Sequence, residues 1–288
     1  MTFEKVIKNI DSLPPLSNAA NLVQAMYASG IENINIMRLV KVIESDAMLA
    51  ANILKMINSP FYGFSKKISS VSQAVSLFGT RKIQMLVIQY AVSESLKADT
   101  SVYGFSHSQF NELCHLQSAL ILQWCSNIEV RDAQFLAPLA LIMECGKLIL
   151  ANEVVKSDYC GEFRRGFNEC DCIQNYEKSL IDTTSYYLSS ILFEHWNLEP
   201  LYVEILKSLD NTDEEYMSKL DIKTKSYISQ IDIIRTAINA KEILTDDSIK
   251  KASLKVMKLG YRKDVFERIA FRVRDAYFKK NDKDWHKE

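Results

Sequence analysis

Histidines, cysteines and carboxylates are the side chains of this 288-residue chain that could hold a metal or move a proton. Cys160, Cys170 and Cys172 raise the question of zinc, for which thiolates are good ligands. Cys170-Asp-Cys172 lacks the Cys-x(2–4)-Cys bite that places two sulfurs on one ion, so ordinary thiols in helices or loops are expected. His115 lies among Leu113, Leu116, Ala119 and Leu120, the setting of a half-buried imidazole bonded to a backbone carbonyl. His195 precedes Trp196 near a helix end, where an imidazole complements the terminal carbonyls, and His286 falls in a polar tail. The tightest glycine pair, Gly161-Glu-Phe-Arg-Arg-Gly166, is followed by Phe167-Asn168 where a phosphate loop needs Lys and Ser/Thr. Neither a Gly-x-Ser-x-Gly elbow nor a His-Glu-x-x-His pair occurs. Arg268, Arg272 and Arg274 are interrupted by Asp264, Glu267 and Asp275, which makes them a solvated helix face rather than a nucleic-acid stripe.

The elements that must position these groups are helical. Only 8 glycines and 5 prolines occur, too few for the turns of a sheet protein this long. Asn35 and Asp46 are placed to cap helices whose apolar faces carry Ile36, Leu39, Val40 and Ile43, and Leu49, Ile53, Met56 and Ile57. The second helix should stop at Asn58-Ser59-Pro60. Ser70 and Gln73 form a capping box ahead of Val71, Ala74, Val75 and Phe78, with Gly79 as the C-terminal cap and Thr80 opening the next helix. The polar stretch 98–110 reads as a hinge, and Gly260 as the break between the last two helices. Three segments are expected: an N-terminal helical bundle over 1–98, a helical core over 111–210 and C-terminal helices over 211–288.

The net charge is -1, from 35 Lys+Arg against 36 Asp+Glu, which offers no general counter-charge for nucleic acid or an anionic membrane. Residues 241–288 carry a mild local excess of cations. The N-terminus has no apolar signal core and no uninterrupted apolar stretch reaches the length of a membrane span, so a cytoplasmic chain with reduced thiols is expected.

A run of features in the first third carries a resemblance. Leu13-Pro14-Pro15-Leu16 is followed by Asp46-Ala47-Met48-Leu49, by Leu54 to Ile57 with Asn58-Ser59-Pro60-Phe61-Tyr62-Gly63, and by Val71 to Gly79 with Ala74-Val75 and Phe78-Gly79. This resembles the HDOD family, the HD-related output domains of bacterial signalling proteins, and continues weakly through His115, Leu141–Leu148, His195 to Pro200 and Leu259-Gly260-Tyr261. The resemblance implies an all-α, HD-like multi-helix domain, preceded by an N-terminal helical bundle and with C-terminal helices packed on it.

HD and HD-GYP phosphohydrolases, to which that family is related, hold metal through a helix ending in His-Asp within Leu-Leu-His-Asp-Ile-Gly-Lys. Here the matching run is Leu141-Ile142-Met143-Glu144-Cys145-Gly146-Lys147, with Met143 in the histidine position and Glu144 in the aspartate position. A thioether is a poor ligand for hard divalent ions. No histidine stands near Ile205 to Ser208, where the later pair should fall; His115 and, loosely, Asp232 are the other matches. The resemblance therefore implies no metal, no cofactor and no catalysis. It points to a regulatory module, of the kind that controls motility or surface behaviour, acting through a signalling protein partner without nucleic acid or membrane. Two alternatives stay open: a divergent metal-dependent phosphohydrolase, and a nucleotide sensor without turnover. His115, Met143 and Glu144 would line the vestigial pocket. Asn58 and Ser59 end a helix or touch a partner, and Trp196 is a core or inter-helix anchor or, alternatively, a surface for a ligand or partner.

Overall fold

The computed structural model describes residues 3–11, 17–28, 34–58, 66–96, 98–211 and 213–284. In chain order the helices begin with α1 (Phe3–Asp11), α2 (Asn18–Ala28), α3 (Ile36–Glu44), α4 (Ala47–Ile57) and α5 (Val71–Leu96). Then follow α6 (His107–Cys125), α7 (Val130–Ile142), α8 (Cys145–Val155), α9 (Cys160–Glu169), α10 (Ile173–Ile181) and α11 (Ser185–His195). The last are α12 (Pro200–Ser208), α13 (Glu214–Lys219), α14 (Ile222–Ala237), α15 (Asp246–Lys258) and α16 (Lys263–Asp284). Among the described residues the one extended pairing is an isolated antiparallel bridge, Ile238 to Ile243. The all-α expectation holds.

Two compact units emerge, each assembled from segments distant in sequence. One joins Met1–Leu16, Ala91–Cys114 and Ile142–Gln230; the other joins Ser17–Tyr90, His115–Leu141 and Ile231–Glu288. They are called the first and second unit below.

In the second unit the caps form as their residue types require. Asn35 accepts from the Arg38 N–H, and Asp46 from those of Met48 and Leu49. Ser70 Oγ accepts the Gln73 N–H at 3.1 Å, while the Gln73 side chain reaches back to the N–H of Ser69, one residue earlier than a standard capping box. Leu39 and Ile43, then Leu49, Ile53 and Ile57, are the buried faces of α3 and α4. Gly79 separates two helical stretches of α5, 71–78 and 80–96, where the sequence places a helix end and a new start, although its ψ is not that of a left-handed cap. Its φ of 75° and ψ of 162° are open only to glycine, and helix resumes at once. Further on, Trp124 meets Tyr261 and Phe266 edge-on at 5.9 and 5.2 Å, and Gly260 turns the chain at φ 78° between α15 and α16.

The first unit is built on α8 and α11, with α1 and α12 packed against them. The stretch 98–110 is not a hinge. It folds into a 3-10 turn, Thr100–Tyr103, capped by Asp99, with Thr100, Val102 and Tyr103 buried. The Tyr103 ring stands edge-on to Phe163 and Phe167 at 5.3 Å each. Among the described residues, Val130–Val155 is the one stretch long and apolar enough to cross a membrane, and 89% of its most apolar 18 residues are buried inside the protein.

Candidate functional site

The segment aligned with the His-Asp signature is the turn from α7 into α8. Close backbone approach fixes it: a Cβ added at Gly146 would lie 1.8 Å from the Ser185 carbonyl oxygen, so only glycine lets α8 approach α11 here. The Gly146 N–H donates to Ser189 Oγ at 2.7 Å, and that hydroxyl donates to the Met143 carbonyl at 2.7 Å. Glu144, Lys147 and Met143 are all buried.

The Lys147 ammonium is the centre of the arrangement. It lies 2.7 Å from Glu144 Oε2 and 4.0 Å from Glu177 Oε1, and donates to Ser185 Oγ at 2.9 Å. The Tyr186 ring centre is 4.6 Å away, within cation–π range. Two tyrosine hydroxyls and one backbone N–H also donate to the carboxylates. Tyr186 donates to Glu144 Oε1 at 2.8 Å, Tyr103 to Glu177 Oε1 at 3.0 Å, and the Ser185 N–H to Glu177 Oε2 at 2.7 Å. Burial opposes the ammonium, yet the attraction of Glu144 and Glu177 outweighs it and the Lys147 pKa is raised. Burial also dominates at Glu177, whose pKa is raised despite Lys147 and the donors from Ser185 and Tyr103. One cation cannot fully offset two carboxylates in a low-dielectric interior.

The residues present do not fit a divalent ion. Glu144 and Glu177 already face an ammonium, Met143 supplies only a thioether, and no group of three metal-ligating side chains occurs among the described residues. His115 is buried on α6 in the second unit. Asp232, also in that unit, is bound to Arg235 at 2.8 Å and Lys255 at 2.6 Å, and its pKa is lowered. Nor is a thiolate at hand: burial pushes the Cys114 and Cys145 thiols up, away from the reactive anion.

The other expected site residues make local contacts where they are described. Asn58 ties the end of α4 to Ile68. Its amide donates to the Leu54 and Ile68 carbonyls at 2.8 Å each and accepts the Ile68 N–H at 2.7 Å. Ser59 lies outside the described residues, as do Pro60 to Gly63. Trp196 is buried as the C-cap of α11, and the neighbouring His195 is exposed. Glu177, Tyr103, Tyr186 and Ser185 were not anticipated from sequence. Glu177 left one readable sign: it stands between Ile173 and Ile181 on the buried stripe of α10, where a lone carboxylate calls for a buried cation.

No curated protein sequence matches the chain. Similar solved structures include a Shewanella amazonensis protein provisionally called a phosphohydrolase, at 16% identity and a TM-score of 0.68 over 94% of this chain and 93% of that one. An HDOD domain protein of unknown function from Geobacter sulfurreducens follows at 12% identity and a TM-score of 0.64, over 96% and 93%. A virulence factor of Campylobacter jejuni has 20% identity and a TM-score of 0.53, over 92% and 93%. These likenesses establish the fold. The HDOD domain family matches residues 13–211, more than half of the chain, so the chain belongs to the HDOD family.

Proposed function

We propose that this protein is a non-catalytic regulatory module that acts in bacterial signal transduction by binding a protein partner. The observation that supports the reading is the Lys147 ammonium 2.7 Å from Glu144, at the position where catalytic relatives of the fold would place a metal-bound carboxylate. Hydrolysis of a phosphodiester in such folds depends on a metal that lowers the pKa of its water and clamps the phosphate. Here the carboxylates are committed to a side-chain cation and to tyrosine and serine donors. A buried network of this kind organises a core, with its carboxylates engaged by these donors rather than by a metal. Binding surfaces are then what the scaffold has to offer, and control of motility or surface growth is the kind of process such a module would serve.

The test is turnover. Full-length protein supplied with Mn²⁺ or Mg²⁺ is expected to leave cyclic dinucleotides and nucleoside phosphates unhydrolysed, and to show no shift in melting temperature across a nucleotide panel. Metal-dependent hydrolysis that disappears in Glu144→Gln would replace this reading with the phosphohydrolase. A saturable thermal shift without turnover would replace it with a nucleotide sensor.

A further inference from the structure

The near-zero net charge hides a division. The first unit carries 12 Lys/Arg against 21 Asp/Glu, a net of -9, and the second carries 23 against 15, a net of +8. Within the second unit the positive charge is of two kinds. On its C-terminal helices much of it is matched locally, by Arg235 and Lys255 with Asp232, Lys251 with Asp247, and Arg274 with Asp246. Around α3 and α4 it is not: Arg38, Lys41, Lys55, Lys66 and Lys67 are exposed, and none has an ion-pair partner among the described residues. On the same two helices two methionines are exposed, Met37 at 73% and Met48 at 65%. Unbranched thioether side chains adapt to varied apolar partners.

The first unit carries a segment of the opposite kind. Asp213, Glu214, Glu215 and Asp221 are exposed around α13, with Lys219 as the cation between them, already tied to Glu215 at 2.7 Å. Ile222 follows at 88% exposure, the highest among the large apolar side chains. Each face thus has, on the same chain, a counterpart of complementary charge and matching apolar character.

We infer that this protein self-associates, the cationic methionine face of α3–α4 in one copy receiving the acidic α13–Ile222 segment of a second copy. Complementary charge would set the encounter rate and the register, with Met37, Met48 and Ile222 the apolar part of the contact. Such an interface joins different patches, so it closes into a ring or dimer only where geometry permits and otherwise extends.

Sedimentation velocity of the full chain at about 0.05 M and about 0.5 M salt tests this, because the screening length falls roughly threefold between them. The expected result is a species heavier than the monomer at low salt, with affinity at least about tenfold weaker at high salt. Arg38→Glu/Lys41→Glu/Lys55→Glu and Glu214→Lys/Glu215→Lys should each be monomeric, and an equimolar mixture of the two should recover a heavier species. Where the triple reversal disturbs the melting curve, Lys41→Ala/Lys55→Ala should still weaken assembly severalfold. A monomer at low salt, an assembly indifferent to salt or to the reversals, or a mixture that stays monomeric overturns the inference. A monomer whose cationic face instead retains phosphatidylglycerol vesicles or a Glu-rich amphipathic peptide overturns it too.

Discussion

Replacing Lys147 by methionine keeps the length and apolar stem of the side chain and removes its charge. Glu144 and Glu177 then face each other in the interior without the cation that stands 2.7 and 4.0 Å from them. Removing one partner of a buried ion pair costs about 3–5 kcal/mol, mostly as an uncompensated buried charge. For a folding unit of this size that lowers the melting temperature by roughly 10 °C. The pH dependence separates this cause from a simple packing defect. In Lys147→Met the carboxyl groups take up protons in the folded state, so their folded pKa values lie above the unfolded ones. Such groups favour the folded state below the unfolded carboxyl pKa, and that contribution is lost as the pH rises through the folded pKa. The deficit of the variant against wild type should therefore be large at neutral pH and shrink toward pH ~4. Lys147→Met/Glu144→Gln/Glu177→Gln should recover part of the loss. Urea titrations monitored by circular dichroism at several pH values give the numbers. A loss below about 1 kcal/mol, or one that does not change with pH, would refute the claim that Lys147 neutralises these carboxylates.

Other substitutions probe the rest of the construction. Gly146→Ala places a methyl group 1.8 Å from the Ser185 carbonyl oxygen, and soluble yield or melting temperature should fall more than for any other Gly→Ala change in the first unit. Lys82 is buried against Ser118 at 2.8 Å, and desolvation lowers its pKa to about 7. Because the folded pKa lies below the unfolded value, unfolding takes up a proton between about pH 7 and 10.5, so stability should rise with pH across that window. Lys82→Met should accordingly stabilise the protein by up to about 5 kcal/mol at pH 6, and the gain should fade toward pH 10, as read from denaturant midpoints. Asn58→Ala removes three hydrogen bonds to the backbone and should cost about 2 kcal/mol by urea titration, with helix content retained.

The helices were legible because their signals are local. Asn35, Asp46 and Gly260 act where their side chains or their lack of one require. Gly79 was legible as the break between two helices but its extended ψ was not, since positive φ suits both a left-handed cap and a kink. The stretch 98–110 looked loose because its polarity is real, yet Tyr103 anchors it through Glu177, a partner 74 residues away that no periodicity points to. At the site, Met143 in place of histidine spoke against a metal. What the sequence could not supply was the role of the cation: Lys147 matches the lysine of the signature run, and its burial depends on Gly146 letting α11 come close. The opposite charges of the two units were equally hidden, because each unit gathers segments that a linear charge count averages away.

The central claim is that a lysine ammonium holds the place and the charge of a metal at the His-Asp position. The direct measurement is calorimetric titration of Mn²⁺ into the metal-stripped full chain at neutral pH, with bound metal then quantified by mass spectrometry. The account predicts no saturable heat and bound metal far below one equivalent. One equivalent or more, bound tightly and lost in Glu144→Gln, would contradict it.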